Sequence, residues 1–186
     1  MTLTKSIARV ALVTALLLLI PLVAMQFDLG VAWSADDFMT AGILLFGAGL
    51  LFTLIARLGN NTFYRLAVGV AVGAGLLLIW GNLAVGFIGS EDNPANLLYG
   101  SVLAVALIGA LLARFQPLGM AHAMFAAALT QFVVPVIAAL IWQPEVNLGF
   151  MQVVGLNTVF ALIWAVSGWL FRHANTTGAS QKHQLV

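Results

Sequence analysis

The sequence predicts an all-α polytopic membrane protein, a bundle of six transmembrane helices with both termini in the cytoplasm, and three observations lead there. The chain of 186 residues is 62% hydrophobic and only 7% charged, far below the roughly one-quarter charged fraction of a water-soluble domain. Six segments approach the about 20 apolar residues needed to cross a hydrocarbon core. Threaded back and forth as spans, they leave all seven Lys and Arg on one side and all six Asp and Glu on the other. The positive-inside rule assigns the basic side to the cytoplasm.

The first span, Ile7 to Met25, follows Lys5 and Arg9 and so resembles a signal peptide. Residues Leu22 to Gln26 offer no clean small-x-small cleavage site, and the span is expected to be retained. The second, Phe38 to Ala56, opens on Ser34-Ala35-Asp36-Asp37, which reads as a capping box with its carboxylates at the positive end of the helix dipole. The third, Leu66 to Ile88, lies between Arg65 and Glu91. The fourth, Leu97 to Ala113, starts from Asn93-Pro94, where asparagine caps and proline loses no needed donor. The fifth and sixth are Ala121 to Trp142 and Phe150 to Phe171.

Short connections predict that consecutive helices are antiparallel neighbours and leave no room for a soluble domain. Residues 1–173 are therefore expected to form one membrane domain, followed by a polar, aperiodic and disordered tail over 174–186. Trp33, Trp80, Tyr99 and Trp142 toward the outer boundary, with Tyr64 and Trp169 toward the inner one, read as aromatic belts. Asp36 to Trp80 and Asn96 to Trp142 resemble each other as a weak parallel repeat.

Composition and placement exclude several kinds of chemistry. There is no cysteine, hence no disulfide or thiolate metal site. No ionisable group falls at depth, which speaks against a proton relay, a voltage sensor or a Schiff-base lysine. His122, His173 and His183 are not placed on facing spans for haem ligation, and Ser167-Gly168 lacks the partners of a serine nucleophile. The reading is a non-enzyme with no cofactor and no metal. A net charge of +1 gives nucleic acid nothing to bind. The expected partners are the lipid bilayer and a second copy or another membrane protein.

Five neutral polar residues form a candidate intramembrane site: Gln131, Asn157, Thr158, Thr14 and Asn82. Ala123, Ala127, Gln131, Pro135 and Ala139 recur every four residues, a small-residue stripe with one amide and one proline. Asn157, Ala161, Ala165 and Gly168 make a similar stripe on the sixth span. At about 1.5 Å per residue, Gln131 and Asn157 lie at similar depth, roughly 12 to 16 Å below the outer end, and are expected to share one inter-helix seam. Gly69 and Gly73 form a GxxxG, which predicts close packing. Asp36, Asp37, Glu91 and Asp92 form a candidate external acidic cluster for calcium or magnesium, with Asp28 and Glu145 as further carboxylates.

From Asp37 to Arg114, and most specifically over Asn82 to Asn96 with its Gly89-Ser90-Glu91-Asp92-Asn93-Pro94-Ala95-Asn96 loop, the chain resembles a family of small, uncharacterised bacterial multi-pass inner-membrane proteins. The resemblance implies a bacterial inner membrane and lends no activity or site residue. The leading expectation is thus a non-catalytic membrane protein acting through helix packing or partner interaction. A small channel or facilitator for a neutral solute is the first alternative, and external divalent-cation binding the second.

Overall fold

The computed structural model describes residues 3–27, 30–59, 61–142 and 148–183, with side chains for all of these except 142, 148, 150 and 178–183. It is all-helical among them: α1 (Leu3–Gln26), α2 (Ala35–Ala56), α3 (Thr62–Ala84), α4 (Tyr99–Leu112), α5 (Pro117–Trp142) and α6 (Leu148–His183), with a 3-10 turn over Pro94–Leu98. Six stretches are long and apolar enough to span a membrane, the fourth of them running from Pro94 to Leu112. The six-helix multi-pass prediction holds. The chain divides into two compact units, Met1–Leu54 and Ile55–Val186.

In the first unit, α2 begins as its sequence demands. Ser34 N and Oγ both donate to Asp37 Oδ2, at 2.7 and 2.8 Å, and Asp37 N returns a bond to Ser34 Oγ at 3.2 Å. Trp33 packs edge-on against Phe38 at 5.1 Å, the hydrophobic staple that usually accompanies such a box. A Cβ on Gly49 would stand 2.6 Å from Val10, and one on Gly42 would stand 3.5 Å from Leu18. The paired numbers run in opposite directions, so α1 and α2 are antiparallel, in contact at glycines.

In the second unit, each helix turns a seven-residue rhythm inward. On α5 the buried positions include Met120, Met124, Ala127, Gln131, Val134 and Ala138; on α6 they include Asn157, Phe160, Trp164, Ser167, Phe171 and Ala174. Alternating steps of four and three are the signature of left-handed bundle packing. Small residues set the approach distances: a Cβ on Gly109 would meet that of Ala123 at 2.7 Å, and one on Gly168 would meet the Ala121 carbonyl at 3.2 Å. Close backbone approach of this kind supplies dispersion energy where lipid removes the hydrophobic drive.

Four expectations are corrected. The sixth helix does not stop at Phe171 or give way to a disordered tail at Ala174. Its backbone is helical to His183, and Ala174 within it is core, its carbonyl accepting from Asn61. Consecutive helices are not always the main neighbours, since α3 packs chiefly on α6 and meets α4 through side chains such as Leu103 at Gly75. Tyr64 and Tyr99 are core residues and not belt residues, 1% and 2% exposed. Within the GxxxG, Gly73 has no atom within 4 Å of where a Cβ would stand, whereas Gly75 meets Leu103 and Trp164. The proposed repeat is also uneven: its second copy lies within one unit, while its first spans the division between the two.

Candidate functional site

The two amides singled out in the sequence do share a seam. Gln131 Nε2 donates to Asn157 Oδ1 at 2.9 Å, and both residues are 0% exposed. Asn157 Nδ2 then donates to Tyr99 Oη at 2.8 Å and to its own helix at Val153 O, also 2.8 Å. One asparagine thus joins α5, α6 and the start of α4. Its orientation is fixed by chemistry: the Val153 carbonyl accepts only, so the side facing it must be the NH2 group.

The rest of the deep polar side chains divide into joints and local back-bonds. Ser167 Oγ donates to Ala67 O at 2.9 Å, tying α6 to α3. Tyr64 Oη donates to Phe115 O at 2.8 Å, bracing the α4–α5 turn where Arg114 and Phe115 both adopt positive φ, 47° and 58°. Left-handed backbone costs about 1 kcal/mol or more per non-glycine residue, and this bond helps to hold it. Asn61 caps α3 by accepting from Tyr64 N at 2.8 Å while its Nδ2 reaches Ala174 O at 2.9 Å.

Of the other predicted members in the second unit, neither joins the amide pair. Thr158 Oγ1 donates back to Val154 O at 2.8 Å, and Asn82 Nδ2 back to Leu78 O at 2.8 Å. Such i to i−4 bonds satisfy a side chain inside its own helix. Thr14 is buried on α1, in the first unit. Three buried side-chain atoms have no hydrogen-bond partner within the described chain: Asn82 Oδ1, Gln131 Oε1 and Trp164 Nε1.

The acidic cluster is dispersed by role. Asp37 is occupied by Ser34, and Asp36 accompanies it in the first turn of α2. Glu91 and Asp92 are exposed in a loop of the other unit. Asp28 and Glu145 lie outside the described residues. Among those described, no group of three or more His, Cys, Asp and Glu stands together as a metal site.

That loop owes its shape to Asn96. Its Oδ1 accepts from Phe87 N and Ile88 N at 3.0 and 2.9 Å, and its Nδ2 donates to Ser90 O at 2.7 Å and Ile88 O at 3.3 Å. All of its bonding capacity is spent on four partners. Gly86 and Gly89 take positive φ, 66° and 75°, and a Cβ on Gly86 would collide with the Ser90 carbonyl. Asn93 accepts from Ala95 N at 2.9 Å and caps the 3-10 turn over Pro94–Leu98, not the fourth α-helix as expected: α4 begins at Tyr99 after Leu98, which makes no side-chain cap bond. The result presses Phe87 inward, its ring 5.3 Å from both Tyr99 and Phe160.

Sequence reasoning missed Tyr99, Tyr64 and Asn96 as structural centres. Each stands near a span end, where aromatics and asparagines have a sufficient interfacial explanation, and only the fold reveals that their polar atoms turn inward. The chain matches no known family model, no curated protein and no solved structure at a significant level, so the reading of the site rests on its own geometry.

Proposed function

We propose that the chain is a non-catalytic integral membrane protein that works through helix contacts with a second copy or a partner membrane protein. It is read as resident in a bacterial inner membrane and as a member of the family that its Asn82–Asn96 loop resembles, with both termini cytoplasmic. The observation that carries this reading is that the deep hydrogen bonds from Gln131 to Asn157, from Asn157 to Tyr99 and from Ser167 to Ala67 each join one helix to another. A buried amide is retained in an apolar bundle where it specifies which helices meet. The orientation is supported by the second unit: bonds from Asn61 to Ala174 and from Tyr64 to Phe115 gather the segments bearing Arg57, Arg65, Arg114 and Arg172 at one end. Open glycine faces at Gly47 and Gly73 suit the approach of another helix.

The test is affinity purification of the full chain from native membranes in mild detergent, paired with crosslinking before extraction. The expected result is a reproducible dimer or partner. A solitary monomer with no crosslinked species overturns the proposal. A second reading, a facilitator for a small neutral solute, draws on Gln131 Oε1 and Trp164 Nε1, buried polar atoms left without a partner in the chain. Solute flux through reconstituted vesicles, lost on Gln131→Leu, would favour it.

A further inference from the structure

The Tyr99–Asn157–Gln131 chain of bonds leaves complementary valences unused at its two ends. Tyr99 Oη accepts from Asn157, so its own O–H is left to donate, and no acceptor for it stands among its bonds in the described chain. At the other end Gln131 Nε2 donates, while Gln131 Oε1 is buried without a partner. Rotating the Asn157 amide cannot relieve either end, because it would turn Oδ1 onto the Val153 carbonyl, 2.8 Å from the present nitrogen. Pro135 adds a third polar group: lacking an N–H, it leaves the Gln131 backbone carbonyl without the helical donor it would otherwise have.

An unpaired buried polar group costs about 1 to 3 kcal/mol, and such groups in native proteins are normally met by a bound molecule, most often water. We propose that Tyr99, Asn157 and Gln131 form a binding site for one small neutral hydroxyl-bearing molecule, which accepts from Tyr99 O–H and donates to Gln131 Oε1. The class follows from the groups. All three side chains are neutral, and an ion in this apolar interior would lack a countercharge. The occupant must both accept and donate through a compact group, which a hydroxyl does. Water and a small neutral alcohol share that chemistry. Phe87, held by the Asn96-organised loop, packs on Tyr99 and Phe160.

Solid-state NMR on the full chain in lipid bilayers tests it, by transferring polarisation from solvent protons to assigned side chains. In dialysed protein, transfer from water reaching Tyr99 and Gln131, with equally buried Leu78 and Val134 silent, identifies water as the occupant. Transfer that appears only from protonated glycerol added in deuterated buffer identifies an alcohol. Tyr99→Phe keeps the ring and removes the donor, so it should erase the Gln131 signal while unchanged Leu78 and Val134 resonances confirm that the fold persists. No transfer to Gln131 from either source, or a Gln131 signal unchanged in Tyr99→Phe, overturns the proposal.

Discussion

The two units use the same raw material to different ends. Within α1 and the Ala35–Leu54 part of α2, only Thr14 and Ala41 are buried among the described residues, while Leu12, Ile20 and Ile43 stand 61%, 65% and 70% exposed. The second unit buries a continuous series from Tyr64 through Leu78, Tyr99, Val102, Gln131 and Trp164 to Phe171. Both sets of helices are apolar enough to span a bilayer. Both also place glycines at helix contacts; what distinguishes the second is heptad spacing of buried positions and polar side chains that bond between helices. Hydrophobicity makes a span, and these finer features make a bundle.

The sharpest way to break that comparison is a matched pair of truncations. Leu78→Ala removes a side chain with no exposure and should cost about 3 kcal/mol as a cavity, read from reversible unfolding of the full chain in detergent. Ile20→Ala should shift the same transition by less than about 0.5 kcal/mol. Equal losses would mean that α1 is as tightly packed as α3. Next in size, Asn157→Leu strands Gln131 and Tyr99 together and should cost about 2 kcal/mol; an unchanged midpoint would show that the amide joint contributes nothing.

A smaller effect probes the first unit at its own contact. Gly49→Ala would place a methyl 2.6 Å from the stiff, branched Val10 and should destabilise by about 1 kcal/mol. Gly47→Ala, with open space at its Cβ position, should be neutral in that same unfolding measurement. If both behave alike, the α1–α2 glycine contact is not a packing determinant. Smallest of all, Ser167→Ala removes the bond to Ala67 and should cost about 0.6 kcal/mol, the average for an interhelical bond in a membrane protein.

Much of this fold was legible in the residues. Apolar length located all six spans, and Ser34-Ala35-Asp36-Asp37 located the start of α2, because caps depend on local chemistry; Asn93-Pro94 opens a 3-10 turn ahead of α4 instead. The pairing of Gln131 with Asn157 was legible for a similar reason: two amides at equal depth in apolar helices have few other partners. What was not legible depends on packing across the chain. Tyr99 reaches Asn157 from 58 residues away, and nothing local separates it from an interfacial tyrosine. The i, i+4 stripe on α5 was only partly right, since Gln131 belongs to a heptad seam with Met124, Ala127, Val134 and Ala138. The extension of α6 to His183 escaped because polar residues carry no apolar rhythm, even though Asn61 anchors the helix there at Ala174.

If the deep amides are joints between helices, Gln131 and Asn157 must be energetically coupled, which a double-mutant cycle on Gln131→Leu and Asn157→Leu measures. Unfolding free energies of the full chain, the two single variants and the double variant yield their coupling. A favourable coupling of about 0.6 to 1.7 kcal/mol is expected, with the double variant losing less than the sum of the single ones. Additive losses, or single variants as stable as the parent chain, would contradict it.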